Sequence, residues 1–106
     1  MCGIVGCVTK ELEASKLLFR SLQRLEYRGY DSAGMSLISE AKIETFKEAG
    51  KIDNLAASLP SKMPMSSVAI GHTRWATHGV PNDVNSHPHY SNSGALVIIH
   101  NGIIEN

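Results

Sequence analysis

Hydrophobic and polar positions follow two periods along this chain, and the changes between them mark its elements. Residues 3–9 (GIVGCVT) are apolar and β-branched with two glycines, which predicts a strand that lies close to another backbone or a ligand. Over residues 12–27 the period lengthens. Ala14, Leu17, Leu18, Leu22 and Leu25 recur at three- and four-residue steps, the mark of a helix with one apolar face. Lys16, Arg20, Gln23 and Arg24 fill most of the other side, and Gly29 is a natural stop. Residues 28–34 (RGYDSAG) form a polar, glycine-bounded loop. Residues 35–39 and 43–46 resemble the arms of a hairpin joined through Glu40, Ala41 and Lys42, and residues 51–59 suit a short helix. Residues 68–72 and 95–100 read as buried strands. Residues 73–94 between them are rich in Gly, Pro, Asn, Ser and His, and so long a loop in a small domain points to function. The sum is an α+β fold with a mainly antiparallel sheet and helices on one side. The sequence halts at residues 101–106 (NGIIEN), directly after a strong strand, which suggests a truncated domain.

Composition narrows the function classes. The 106 residues suffice for one small domain with a modest core. Ten basic and ten acidic residues cancel, so no basic surplus points to nucleic acid. No apolar run is long enough to span a bilayer, and residues 1–7 lack the basic start of a secretory signal. The expected location is cytoplasmic. Cys2 and Cys7 have neither redox-motif nor zinc spacing, and on a strand they point to opposite faces, which argues against a disulfide between them.

Three segments carry candidate chemistry. Cys2 follows the initiator and becomes the first residue if Met1 is trimmed. It then holds a thiol beside an α-amine whose pKa is roughly 7.7–8.0, close enough to neutrality to act as a base. That pairing is the N-terminal form of an activated nucleophile; the plainer alternative is a buried cysteine. Residues 71–79 (GHTRWATHG) offer Arg74, whose planar guanidinium matches a carboxylate by two-point contact, with Thr77 and His78 as further polar groups. The competing reading is a solvated loop in which Trp75 plugs the core. His100-Asn101-Gly102 suits either an oxyanion hole, with the Asn101 amide and the Gly102 N–H as donors, or an Asn-Gly hairpin turn. His72, His78, His87, His89 and His100 show neither HExxH nor finger spacing, so no metal site is expected.

Taken in order, residues 1–6 (MCGIVG), 24–34 (RLEYRGYDSAG), 72–79 (HTRWATHG), 85–89 (NSHPH) and 100–106 (HNGIIEN) closely resemble the glutaminase domain of class II, N-terminal-nucleophile glutamine amidotransferases. The form of residues 27–31 and 74–79 is similar to the amino-sugar branch rather than the purine branch. The resemblance implies an αββα sandwich of which residues 1–106 supply the N-terminal half. It implies Cys2 as nucleophile, Asn101 and Gly102 as oxyanion hole, and Arg74, Thr77 and His78 in the substrate pocket. Trp75 is then a gate over the ammonia passage, with Arg28 and Asp31 in a loop lining the nucleophile. The implied substrate is L-glutamine, hydrolysed to glutamate and ammonia. Fructose 6-phosphate would be aminated at a separate domain absent from this sequence, in a homodimer, with no cofactor for the glutaminase half. An aspartate that holds the substrate's amino group would lie beyond Asn106, so the sequence alone is expected to be inactive. The alternative is a non-catalytic fold fragment that self-associates, and a third reading is an amidase acting on another amide.

Overall fold

The computed structural model describes residues 2–28, 31–75 and 86–102. Strand β1 (Gly3–Val8) leads into helix α1 (Ala14–Arg24) and a 3-10 turn (Glu26–Arg28). Strands β2 (Ser32–Ser39) and β3 (Lys42–Ala49) form a hairpin, followed by helix α2 (Ile52–Ser58) and strand β4 (Val68–Arg74). Two short strands, β5 (His89–Tyr90) and β6 (Val97–Ile98), complete the described elements. The main sheet has the order β1-β4-β2-β3, with each neighbouring pair antiparallel.

The core lies between this sheet and the helices. Ala14, Leu18 and Leu22 of α1 and Ile52 and Leu55 of α2 pack with Ala33, Met35, Leu37 and Ala69 of the sheet. Gly71 lets α1 come close, since a Cβ there would stand 3.1 Å from the terminal methyls of both Leu18 and Leu22. The apolar stripe departs from its sequence reading at Leu17, which is 47% exposed because it falls just outside the arc facing the sheet. Phe19 and Leu25 pack partly against the same core.

Side chains alternate across a strand, so even-numbered residues of β4 face away from the helices. Val68, Ile70, His72 and Arg74 therefore share the opposite face. This face carries the second layer: β5 pairs with β6, and residues 95–97 lie over Ile38, Ile43 and Ile70 around a cavity of about 250 Å³. Lys47 fastens the layer by donating to the carbonyls of Ser86 (3.1 Å) and Pro88 (3.2 Å). The strand read over residues 95–100 contracts to two residues, because among the described residues only His89 and Tyr90 pair with it.

Candidate active site

The site forms where the N-terminal strand, the end of β4 and the end of the second layer meet. The register Gly3↔Thr73 and Ile4↔His72 brings Cys2 to the end of β4. There the backbone N–H of Trp75 donates to Cys2 Sγ at 3.4 Å, and Sγ lies 3.7 Å from the Trp75 carbonyl. Cys7 has a different environment. Its thiol faces α1, lies 3.5 Å from the Ala14 carbonyl, and burial pushes its pKa up. Both cysteines are free.

Asn101 arrives from the far end of the chain. Its Nδ2 donates to the Cys2 carbonyl at 3.4 Å, while its Oδ1 lies 2.7 Å from His72 Nε2. Gly102 follows with φ of +142°, and a Cβ on it would meet the His100 ring at 2.9 Å. Both the conformation and the space demand glycine here. The Asn101-Gly102 pair thus sits against Cys2 and His72.

Arg74 and Asp31 meet through the backbone: the Asp31 N–H donates to the Arg74 carbonyl at 2.8 Å, and Arg74 pairs with Ser32 in the sheet. The Asp31 carbonyl in turn accepts from Gly50 at 2.6 Å, tying this corner to the end of β3. Trp75 is 51% exposed, so it does not plug the core. Arg28 closes the 3-10 turn. Thr77 and His78 lie outside the described residues.

Behind Asn101 stands a group of histidines. The rings of His72 and His87 stack at 4.1 Å, and His89 lies 4.3 Å from His87 at a steeper angle. The His100 N–H donates to His87 Nδ1 at 3.3 Å. Burial lowers the pKa of His72, His87 and His89, most strongly for His87, which falls to about 3 under burial and the neighbouring His72, His89, Arg74 and His100. They therefore stand neutral near pH 7. Among the described residues no group of His, Cys, Asp or Glu has the arrangement to hold a metal ion. His72 was not among the expected site residues. The available signal was its position two residues before Arg74, which puts both on the same strand face.

The chain is similar to known proteins in both sequence and fold. Over all 106 residues the chain is 48% identical to the glutamine–fructose-6-phosphate aminotransferase (isomerising) of Fusobacterium nucleatum and 53% identical to that of Pyrococcus horikoshii. It covers 18% of each, so it spans less than a fifth of the length of the relatives it matches. No family model matches the chain. Among solved structures, an allosteric regulatory enzyme of purine biosynthesis superposes with a TM-score of 0.69 at 26% identity, over 82% of this chain and 19% of its own. The glutamine phosphoribosylpyrophosphate amidotransferase of B. subtilis gives 0.69 at 25% identity, over 88% of this chain and 20% of its own. The fold is thus that of N-terminal-nucleophile amidotransferases.

Proposed function

We propose that this chain, which matches the start of the glutamine–fructose-6-phosphate aminotransferases from end to end, is the front part of a glutaminase domain that releases ammonia from L-glutamine. The observation that carries the reading is the meeting of Cys2 and Asn101. The Asn101 amide, 99 residues away in sequence, reaches the backbone carbonyl of Cys2 at 3.4 Å, beside the residue that carries the thiol. Neither a buried cysteine nor a plain Asn-Gly turn requires that.

With Met1 removed, the Cys2 α-amine takes the thiol proton, and the thiolate attacks the side-chain amide carbon of glutamine. The C=O pair moves onto oxygen, and the Asn101 amide and Gly102 N–H stabilise that charge. On collapse the C–N bond breaks, and ammonia leaves with the proton held by the α-amine. Water then adds to the γ-glutamyl thioester, releasing glutamate and restoring the thiol. Arg74, Thr77 and His78 are assigned to the amino-acid end of the substrate, with Arg74 on the α-carboxylate. Trp75, half exposed beside Cys2, is assigned as the gate through which ammonia passes. Arg28 and Asp31 are assigned to the loop that shapes the nucleophile's surroundings. None of these steps calls for a cofactor. The further assignments are amination of fructose 6-phosphate by a separate domain, a homodimeric assembly, and the cytoplasm, where a free nucleophilic thiol stays reduced.

The test is glutamate release by the full-length chain that carries this sequence. Cys2→Ala should abolish it, while Cys7→Ala, whose thiol serves the α1 side of the sheet, should leave most of it. Loss on the Cys7 change with folding intact would reverse the assignment.

A further inference from the structure

We propose that His72 is a positioning residue that fixes which end of the Asn101 amide faces the nucleophile. The inference rests on Asn101 being the oxyanion donor and adds what makes it one. An asparagine amide has two nearly isosteric ends, and its terminal torsion is broad and roughly two-fold. Presenting NH₂ rather than oxygen to a developing oxyanion therefore requires a partner that tells the ends apart.

The contacts supply that partner. The Cys2 carbonyl can only accept, so the end of Asn101 that lies 3.4 Å from it must be the NH₂ group. The other end, Oδ1, then faces His72 Nε2 at 2.7 Å. An amide oxygen also only accepts, so His72 must carry its proton on Nε2 and donate it. His72 is suited to hold that line. It is 1% exposed, lies between Ile4 and Gly34 in the sheet, and has the His87 ring stacked on it at 4.1 Å. His87 in turn accepts from the backbone N–H of His100, the residue before Asn101. The two rings thus hold the His100 backbone and the Asn101 side chain from adjacent points. Without the Nε2–H, the amide keeps only the longer 3.4 Å contact to the Cys2 carbonyl to tell its ends apart among the described residues, and the flipped form turns a lone pair towards the oxyanion.

The experiment compares His72→Gln with His72→Met in the full-length chain, each alone and in an Asn101→Ala background. Gln extends an NH₂ group from a side chain of similar length, whereas Met fills the space without a donor. His72→Met should lower kcat for glutamine hydrolysis by about tenfold to a hundredfold, approaching loss of an oxyanion donor, with KM changed by less than about threefold. His72→Gln should restore most of the rate. In the Asn101→Ala background the Met change should cost less than about threefold, because nothing remains to orient. An equal cost in both backgrounds, or a folded Gln variant no better than Met, overturns the proposal. Should thermal unfolding show that the Met variant does not fold, the Gln variant decides: turnover within about tenfold of the parent supports the proposal, and a deeper loss overturns it. Failure of the glutaminase reading itself would appear separately, as turnover that survives Cys2→Ala or is left unchanged by Asn101→Ala.

Discussion

At the scale of single residues, the candidate site draws on side chains from the chain start, the end of β4 and the segment after β6. Cys2, Arg74 and Asn101 stand in distinctive motifs because the chemistry proposed for them restricts the residue type. A free α-amine needs the chain start, a carboxylate needs a forked cation, and an oxyanion donor next to a positive φ needs Asn-Gly. His72 shares the strand face of Arg74, but its role was not legible because a buried histidine on a strand has the same pattern whether it merely packs or orients a neighbour. For Arg74, replacement by Lys keeps the charge and removes the fork. A hydrogen bond to a charged group contributes about 1.5–3 kcal/mol, so losing one of a pair should raise KM for glutamine roughly tenfold or more with kcat little changed. An unchanged KM would make Arg74 structural. The histidines give a stability prediction. Folding lowers the His87 pKa from 6.5 to about 3, and those of His72 and His89 fall as well. Above pH 6.5 both folded and unfolded forms are neutral, and the shift has no effect. Between 6.5 and about 3 the unfolded chain binds protons that the folded chain refuses, so stability must fall as pH falls through this window. Thermal unfolding across that range should show a declining midpoint, with a shallower decline in His87→Gln. A midpoint that is flat or rises on acidification would contradict the buried, neutral placement.

Among the elements, the legible ones had a period and a partner. Helix α1 emerged from three- and four-residue steps, and β1 to β4 came within a few residues of their predicted limits. Residues 95–100 show the limit of that method. Their apolar run records a preference for burial, yet Leu96 and Ile98 are 66% and 55% exposed, because the described residues offer only β5 to pair with them. Strand β5 has just two residues, too few to display a period, and it sits among Pro, Ser and Asn that read as loop. The turn between β2 and β3 is tighter than the expected three-residue joint. Ser39 pairs with Lys42, leaving Glu40 and Ala41 as the two central residues, at φ of 51° and 62°. That is the geometry of a type I′ turn, which favours Asn-Gly because side chains bearing a Cβ resist the left-handed region. Ala41→Gly should therefore stabilise the fold by roughly 0.5–1 kcal/mol, with relief of left-handed strain outweighing the added freedom of the unfolded chain. Denaturant titration reads this as a higher midpoint at constant slope; a lower midpoint would show that Ala41 is not strained.

At the scale of the whole molecule, the two faces of the main sheet differ in a way that bears on what these residues can do alone. The helix face is closed over a continuous core. The other face carries the site and is only partly covered: Ile4, Val8 and Ile38 are 48%, 82% and 49% exposed, and Leu96 and Ile98 of the second layer are also open. Apolar surface of that kind seeks a partner, whether further chain or another copy. The candidate site depends on the same thin layer, because Asn101 and Gly102 follow β6, whose ladder among the described residues is His89↔Ile98 and Tyr90↔Val97. An isolated polypeptide of these 106 residues, freed of Met1, would hold Cys2, Arg74 and Asn101, but Asn101, the proposed oxyanion donor, would rest on a ladder that is two residues long among those described. Misplacing such a group by about 1 Å can cost on the order of a hundredfold in rate. We therefore expect glutamate release by the isolated segment to lie at least about a hundredfold below that of the full-length chain. Sedimentation should show it self-associating through the open face, as the non-catalytic alternative requires. Replacing Val8 and Ile38 by Lys should disperse the association without restoring turnover. Cys2-dependent activity near that of the full-length chain, from a monomeric segment, would show that the described layer is enough to fix the nucleophile and its oxyanion hole.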